Sequence, residues 1–290
     1  MKLQSIPRTI VFLALIVIVS SQAANYKPPI DNYYGLLYTP YTMAIKISAV
    51  IPGYNEEKSL PETLTRLNKV VDEVIYVDNG STDSSMEIAK SYGAIVILEP
   101  RKQNGIGYGY ALITGLLNSS GRYVVTVDAD GEHEIEKIPQ IVAYAQSNSI
   151  DFINCSRTTR ETSKINSLIR KFGVNILNIE ARILFGLPTK DILSGMWCIN
   201  RNILSKLSIN EGGWNLSPEI KLSAYVNKNV TYFEFPIHGT VRKEGKSQQI
   251  LWKTALEHAT FILWYRIATV EYEIRYFVQN FTKSFTYYIK

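Results

Sequence analysis

The chain has 290 residues, 46% hydrophobic and 20% charged, which is ordinary globular composition and enough for one large domain or two small ones. This excludes wholesale disorder, a collagen-like fibre and a polytopic membrane protein. The net charge of +5 permits an anionic membrane surface or a phosphorylated ligand. No basic clusters of the nucleic-acid-binding kind occur, so no nucleic-acid partner is expected. Cys155 and Cys198 are the only cysteines; they give neither a disulfide framework nor a metal-binding spacing, and a reducing compartment is the simpler assumption.

Ile10 to Val19 is an unbroken apolar run after Lys2 and Arg8 and before Ser20, Ser21, Ala23 and Ala24. As a helix it is about 15 Å long, half a hydrocarbon layer. Residues 1–24 therefore read as a membrane anchor, as a cleaved secretory signal, or as an upstream extension of a protein starting at Met43. Residues 25–44, with Pro28, Pro29 and Pro40 and no periodicity, read as a linker.

Regular structure is expected from about residue 45. Ile47–Ile51 is a short apolar strand stopped by Pro52-Gly53, and Ser59, Pro61 and Glu62 open a helix to about Lys69. Val74–Val77 is a second strand ending at Asp78, and Ser81-Thr82-Asp83 opens a helix through Ser91. Ala94–Leu98 is a third strand; a helix over Gly109–Leu117 leads to a fourth, Tyr123–Val127, ending at Asp128. Four strand–helix alternations with continuous apolar strands predict an α/β fold, a mostly parallel sheet covered on both faces. Ligands of such sheets bind outside the carboxyl ends of the strands. Those ends carry Pro52-Gly53-Tyr54-Asn55-Glu56, Asp78-Asn79-Gly80-Ser81 and Asp128-Ala129-Asp130.

Asp128 and Asp130 flank one small residue at a strand end, and two such carboxylates repel unless a cation lies beside them. A divalent metal is expected, able to hold and neutralise a diphosphate leaving group. Asp78 is placed to accept hydrogen bonds from a base or ribose, although Asp78 and Asp83 also suit turn or cap roles. Gly105-Ile106-Gly107-Tyr108-Gly109 lacks the dinucleotide spacing and reads as a close-packed or flexible turn. His133, His238 and His258 are scattered and read as surface or core residues. Residues 249–290 carry aromatic and basic residues in a pattern suited to one or two amphipathic helices, packed on the core or lying in a membrane interface.

Together, Val50–Glu57, Val77–Asp83 and Val127–Asp130 resemble the inverting family 2 glycosyltransferases of GT-A fold. Ser156-Arg157, Arg170 with Asn175, Asp191–Gly195, Glu219, Glu234–Ile237 and Arg242–Ser247 are similar to the polyprenyl-phosphate (dolichyl-phosphate) mannosyl- and glucosyltransferase branch, so the domain is expected over 45–248. The resemblance implies that Pro52, Tyr54, Glu56 and Asp78 bind nucleotide, and that Asp191, Glu219 and Ser247 belong to the substrate site. Asp128, Asp130 and Glu132 would hold Mg2+ or Mn2+, and Arg157, Arg170 and Arg242 would gather round the phosphates. Asn79 stands where a second Asp is usual, Gly173 where Ser often follows the basic residue, and Met196-Trp197 where Phe-Arg is usual.

The implied reaction moves a hexose from a UDP- or GDP-sugar to a polyprenyl phosphate with inversion, on the cytosolic membrane face. A phosphate acceptor is already anionic and needs positioning rather than a strong base. A glycan hydroxyl acceptor would need a base, with Asp191 or Glu219 as candidates. A catalytically silent nucleotide-sugar-binding or scaffold protein is the alternative of another class. Asn79-Gly80-Ser81 is formally a glycosylation sequon, but a glycan there would block the nucleotide loop, which disfavours a lumenal location.

Overall fold

The computed structural model describes residues 46–160, 165–239 and 251–288, without the side chains of 159–160, 165–170, 251–252 and 276–288. The expected leader (1–24) and linker (25–44), together with Arg242 and Ser247, lie outside the described residues.

The described strands are β1 (Ile47–Gly53), β2 (Glu73–Asp78), β3 (Ile95–Leu98), β4 (Tyr123–Thr126), β5 (Phe152–Arg160), β6 (Trp197–Asn200) and β7 (Tyr232–Gly239). They form one sheet in the order β3-β2-β1-β4-β6-β5-β7. β1 pairs in parallel with β2 and β4, β2 with β3, and β5 with β7; β6 runs antiparallel between β4 and β5. The helices are α1 (Leu60–Leu67), α2 (Ser85–Ser91), α3 (Tyr108–Asn118), α4 (Ile138–Ser147), α5 (Ile165–Phe185), α6 (Leu216–Val226) and α7 (Leu251–Tyr288).

The central strands β1, β2 and β4 read as mostly apolar runs because both of their faces are covered. Ala49 and Ile51 of β1 pack with Leu60, Leu64 and Ile141 on one side. Val50, between them in sequence, packs with Leu112, Leu116 and Ile220 on the other. Full burial of each such aliphatic side chain stabilises by about 1.5–3 kcal/mol. A third cluster, Leu177, Ala181 and Phe185 of α5 with Phe261 and Ile262 of α7, joins the two long helices.

Helix α2 starts later than the Ser81-Thr82-Asp83 signal suggests. Asp83 Oδ1 accepts from Ser85 N and Oγ, at 3.0 and 2.6 Å, and Oδ2 accepts from Glu57 N at 3.1 Å. Asp83 is therefore spent in a turn that ties the β1 loop to the helix start. At the other end one helix, α7, runs over Leu251–Tyr288, within the expectation of one or two. Among the described residues no helix is long and apolar enough to cross a membrane. Both cysteines are free and buried.

Candidate active site

A cavity of about 490 Å³ opens at the carboxyl ends of β1, β2 and β4. Its polar end is walled by Pro52, Tyr54, Glu56, Asn79, Asp128 and Asp130. Glu132 and Arg157 complete that end. Its other end is apolar, between Phe172, Ile176 and Leu177 of α5 and Ala255 and Ala259 of α7.

β1 ends in Gly53, where the Tyr76 ring leaves no room for a Cβ, and the loop that follows brings Tyr54 and Glu56 to the cavity. Lys102 Nζ lies 4.9 Å from the centre of the Tyr54 ring, and both residues line the cavity. Glu56 accepts from Ser59 Oγ at 2.9 Å.

Asp78 takes a different place from the expected one. It is fully buried and is not part of the cavity wall. Its Oδ2 accepts from Gly80 N at 2.9 Å and Ser81 N at 2.8 Å, and its Oδ1 accepts from Tyr76 Oη at 3.3 Å. The neighbouring Asn79 reaches the cavity, while its Nδ2 donates to the carbonyls of Glu99 and Arg101 at 2.6 and 3.2 Å. Gly107, also in the wall, packs directly on that amide, where a Cβ would collide. The glycine-rich segment is thus a close-packed turn.

Beyond β4, Asp128 accepts from Tyr108 Oη at 3.1 Å, and its backbone N–H donates to His133 Nδ1 at 3.1 Å. Burial, with Asp128 and Asp130 nearby, pushes the Tyr108 hydroxyl far above its ordinary pKa, so it stays a donor. Asp130 Oδ1 accepts from Glu132 N at 3.0 Å across a turn in which Gly131 has φ +76°. That left-handed conformation suits glycine. The three carboxylates share one cavity, but among the described residues no group of three or more His, Cys, Asp or Glu side chains is arranged to hold a metal ion. The expected ligand set of Asp128, Asp130 and Glu132 is therefore not gathered as a closed cage; one Asp130 carboxylate oxygen is engaged by its own loop.

Arg157 leaves β5 into the cavity wall and meets Asp191, Nε to Oδ2 at 2.6 Å and Nη2 to Oδ1 at 3.0 Å. Burial opposes its charge, but Asp191, with Glu132 and Asp128 further off, raises the guanidinium pKa above its ordinary value. Asp191 is buried behind the arginine, outside the cavity wall. Glu219 also lies outside the wall: its Oε2 accepts from the backbone N–H of Asn210 and Glu211, both at 2.9 Å, and burial pushes its pKa up to about 7. Arg170 lies on α5, but its side chain is outside the described part.

Several site residues carry little sequence signal. Tyr108 sits in a segment read only as a turn, and its ring packs 4.9 Å from that of Trp214, another wall residue. His133 is fully buried beside Asp128. His258 of α7 lines the cavity with Nδ1 2.8 Å from Asn215 Oδ1, and burial, helped by Lys221, pulls its pKa down to about 4. Lys221 is fully buried, its Nζ donating to the carbonyls of Ile192 and Ser194 at 2.7 Å each. It thereby clamps the segment that carries Asp191.

Comparison with known proteins bears on this arrangement. The chain is 27% identical over 242 residues to a dolichol-phosphate mannosyltransferase of Pyrococcus furiosus, covering 79% of this chain and 66% of that protein. It is 33% identical over 143 residues to an undecaprenyl-phosphate 4-deoxy-4-formamido-L-arabinose transferase of Salmonella paratyphi B, covering 46% and 42%. The chain thus spans just under two thirds of the first relative and less than half of the second. Among solved structures, glucosyl-3-phosphoglycerate synthase from Mycobacterium tuberculosis in complex with Mn2+, uridine diphosphate and phosphoglyceric acid shares the fold. Its TM-score is 0.59 at 21% identity, over 77% of this chain and 78% of that one. A crystal structure of a mycobacterial protein matches with a TM-score of 0.62 at 19% identity, over 77% of this chain and 74% of that one. The family model for glycosyl transferase family 2 matches residues 48–208, more than half the chain, and the chain belongs to that family.

Proposed function

We propose that this glycosyltransferase moves a hexose from a UDP- or GDP-sugar to a polyprenyl phosphate, inverting the anomeric centre, at the cytosolic face of a membrane. The observation that carries this reading is the two-ended cavity. Carboxylates and Arg157 stand at one end, and an apolar stretch between α5 and α7 at the other. A nucleoside diphosphate sugar suits the first end and an isoprenoid phosphate bridges to the second. The relatives named for dolichol- and undecaprenyl-phosphate transfer support the same acceptor class.

The donor set fits a hard divalent cation. Such ions are held by one or two carboxylates together with substrate phosphates more often than by an all-protein cage. Asp128 and Asp130, with Glu132 beside them, would hold Mg2+ or Mn2+, which when bound neutralises charge on the departing diphosphate. Tyr54, Asn79 and Lys102 line the nucleotide end, with Asp78 acting indirectly by holding the Gly80-Ser81 turn. Arg157, pre-oriented by Asp191, offers its remaining N–H groups to an acceptor phosphate. Attack by that anionic oxygen needs alignment more than proton removal. The glycan-hydroxyl alternative needs a base, and Asp191 and Glu219 are both engaged outside the cavity wall.

Apolar side chains left exposed on the two long helices support a membrane surface as partner. Phe172, Ile176, Ile179 and Ile183 recur at helical spacing on α5, as do Leu256, Leu263, Trp264 and Ile267 on α7.

The test supplies purified full-length protein with labelled UDP- and GDP-sugars, polyprenyl phosphate in phosphatidylglycerol vesicles, a soluble oligosaccharide as competing hydroxyl acceptor, and Mn2+. Metal-dependent transfer of label into the lipid phase is expected. Label appearing only on a glycan hydroxyl rejects the lipid acceptor, and nucleotide-sugar binding without turnover leaves the scaffold reading standing.

A further inference from the structure

Asp128 is gripped from several directions. Tyr108 Oη donates to its Oδ1 at 3.1 Å. Its backbone N–H donates to His133 Nδ1 at 3.1 Å. A donor pointing at Nδ1 keeps the lone pair there and leaves the ring proton on Nε2. That Nε2 lies 3.6 Å from Asp128 Oδ2, beyond hydrogen-bond length but within ion-pair range. Tyr108 therefore holds one carboxylate oxygen, while His133 holds the backbone of the same residue and stands near its other oxygen. Neither neighbour has freedom to drift: His133 is fully buried and the Tyr108 ring is packed on Trp214. Gly195 completes the enclosure, since a Cβ there would stand 2.6 Å from Asp128 Oδ2 and 2.9 Å from Tyr108 Oη.

Apolar residues of equal volume would fill these positions without burying polar atoms. What Tyr108 and His133 add is direction. We infer that Tyr108 and His133 are positioning residues that set the Asp128 carboxylate for a divalent cation. They act through Asp128 and not on the substrate. The inference rests on the metal-dependent reading above, and it concerns how the carboxylate is oriented. Hydrogen-bonding partners of ligating carboxylates typically contribute about 10–100-fold in metal affinity.

Mn2+ uptake by the full-length protein with UDP present, followed by the loss of the free-ion electron paramagnetic resonance signal beyond that of a protein-free control holding the same UDP, tests this on the wild type, Tyr108→Phe and His133→Gln. Each variant is expected to weaken Mn2+ binding about tenfold. Transfer activity should return as Mn2+ is raised, which a merely structural defect would not allow. Tyr108→Phe removes a single hydroxyl and decides the matter if His133→Gln fails to fold. Unchanged Mn2+ affinity in a folded Tyr108→Phe variant, beside a wild type that binds the ion, overturns the positioning role alone. A wild type that takes up no Mn2+ overturns the metal reading and the positioning role with it.

Discussion

Arg157 and Asp191, 34 residues apart, meet in a bidentate pair with contacts of 2.6 and 3.0 Å, their side chains only 10% and 6% exposed. The pair turns an arginine that would otherwise be a solvated charge into a fixed part of the cavity wall. Removing one partner strands the other, which typically costs about 3–5 kcal/mol for a buried pair. Asp191→Asn is expected to lower the urea midpoint accordingly and to cut kcat/KM at least about tenfold by loosening Arg157. Unchanged stability and kinetics together would show that the pair carries neither load.

Arg266 presents the opposite case. It is 1% exposed on α7, its three guanidinium nitrogens have no hydrogen-bond partner among the described residues, and the group lies 5.5 Å from the centre of the Phe185 ring. Burial lowers its pKa, with partial relief from Glu273. Replacing buried charge by a well-packed apolar chain is often stabilising by about 1–4 kcal/mol. Arg266→Met should therefore raise the urea midpoint, whereas a fall would mean that the guanidinium is better compensated than its surroundings indicate.

Glu219 carries a pH signature. Its pKa in the folded protein is about 7 against an ordinary value of 4.5, so between these values the folded chain holds a proton that the unfolded chain has lost. Stability from this group is full below about pH 4.5 and declines as pH rises to about 7. The span corresponds to about 3 kcal/mol at most. Glu219→Gln keeps an acceptor for Asn210 and Glu211 but does not titrate. Unfolding measured from pH 4.5 to 7 should show a shallower decline in the variant; parallel curves would exclude Glu219 as the source.

Gly195→Ala separates catalysis from folding. The new Cβ would meet the tips of two side chains, Asp128 and Tyr108, rather than backbone, so the Asp128 carboxylate must shift from its place against the packed Tyr108. A displacement of about 1 Å at such a site can cost on the order of 100-fold in rate. A folded protein with transfer reduced on that scale is expected, as read by circular dichroism and the lipid-transfer assay. Full activity would mean that the Asp128 geometry is not critical.

Much of the molecule was legible before folding. Continuous apolar runs punctuated by glycine, proline and serine located β1 to β4 and the helices between them within a few residues, because these signals act over a single turn or strand. The resemblance likewise put Pro52, Tyr54, Glu56, Asp128, Asp130, Glu132 and Arg157 in one site, and all of them line one cavity. Tertiary structure decided which carboxylates reach it. Asp78 turns to the amides of Gly80 and Ser81, Glu219 to those of Asn210 and Glu211, and Asp191 to Arg157. A carboxylate takes whichever donor the fold brings near, and donors from distant segments cannot be ranked along the chain. Tyr108 and His133 beside Asp128, and His258 arriving from α7, were hidden for the same reason: residue type is written in the sequence, but its neighbours are supplied by packing.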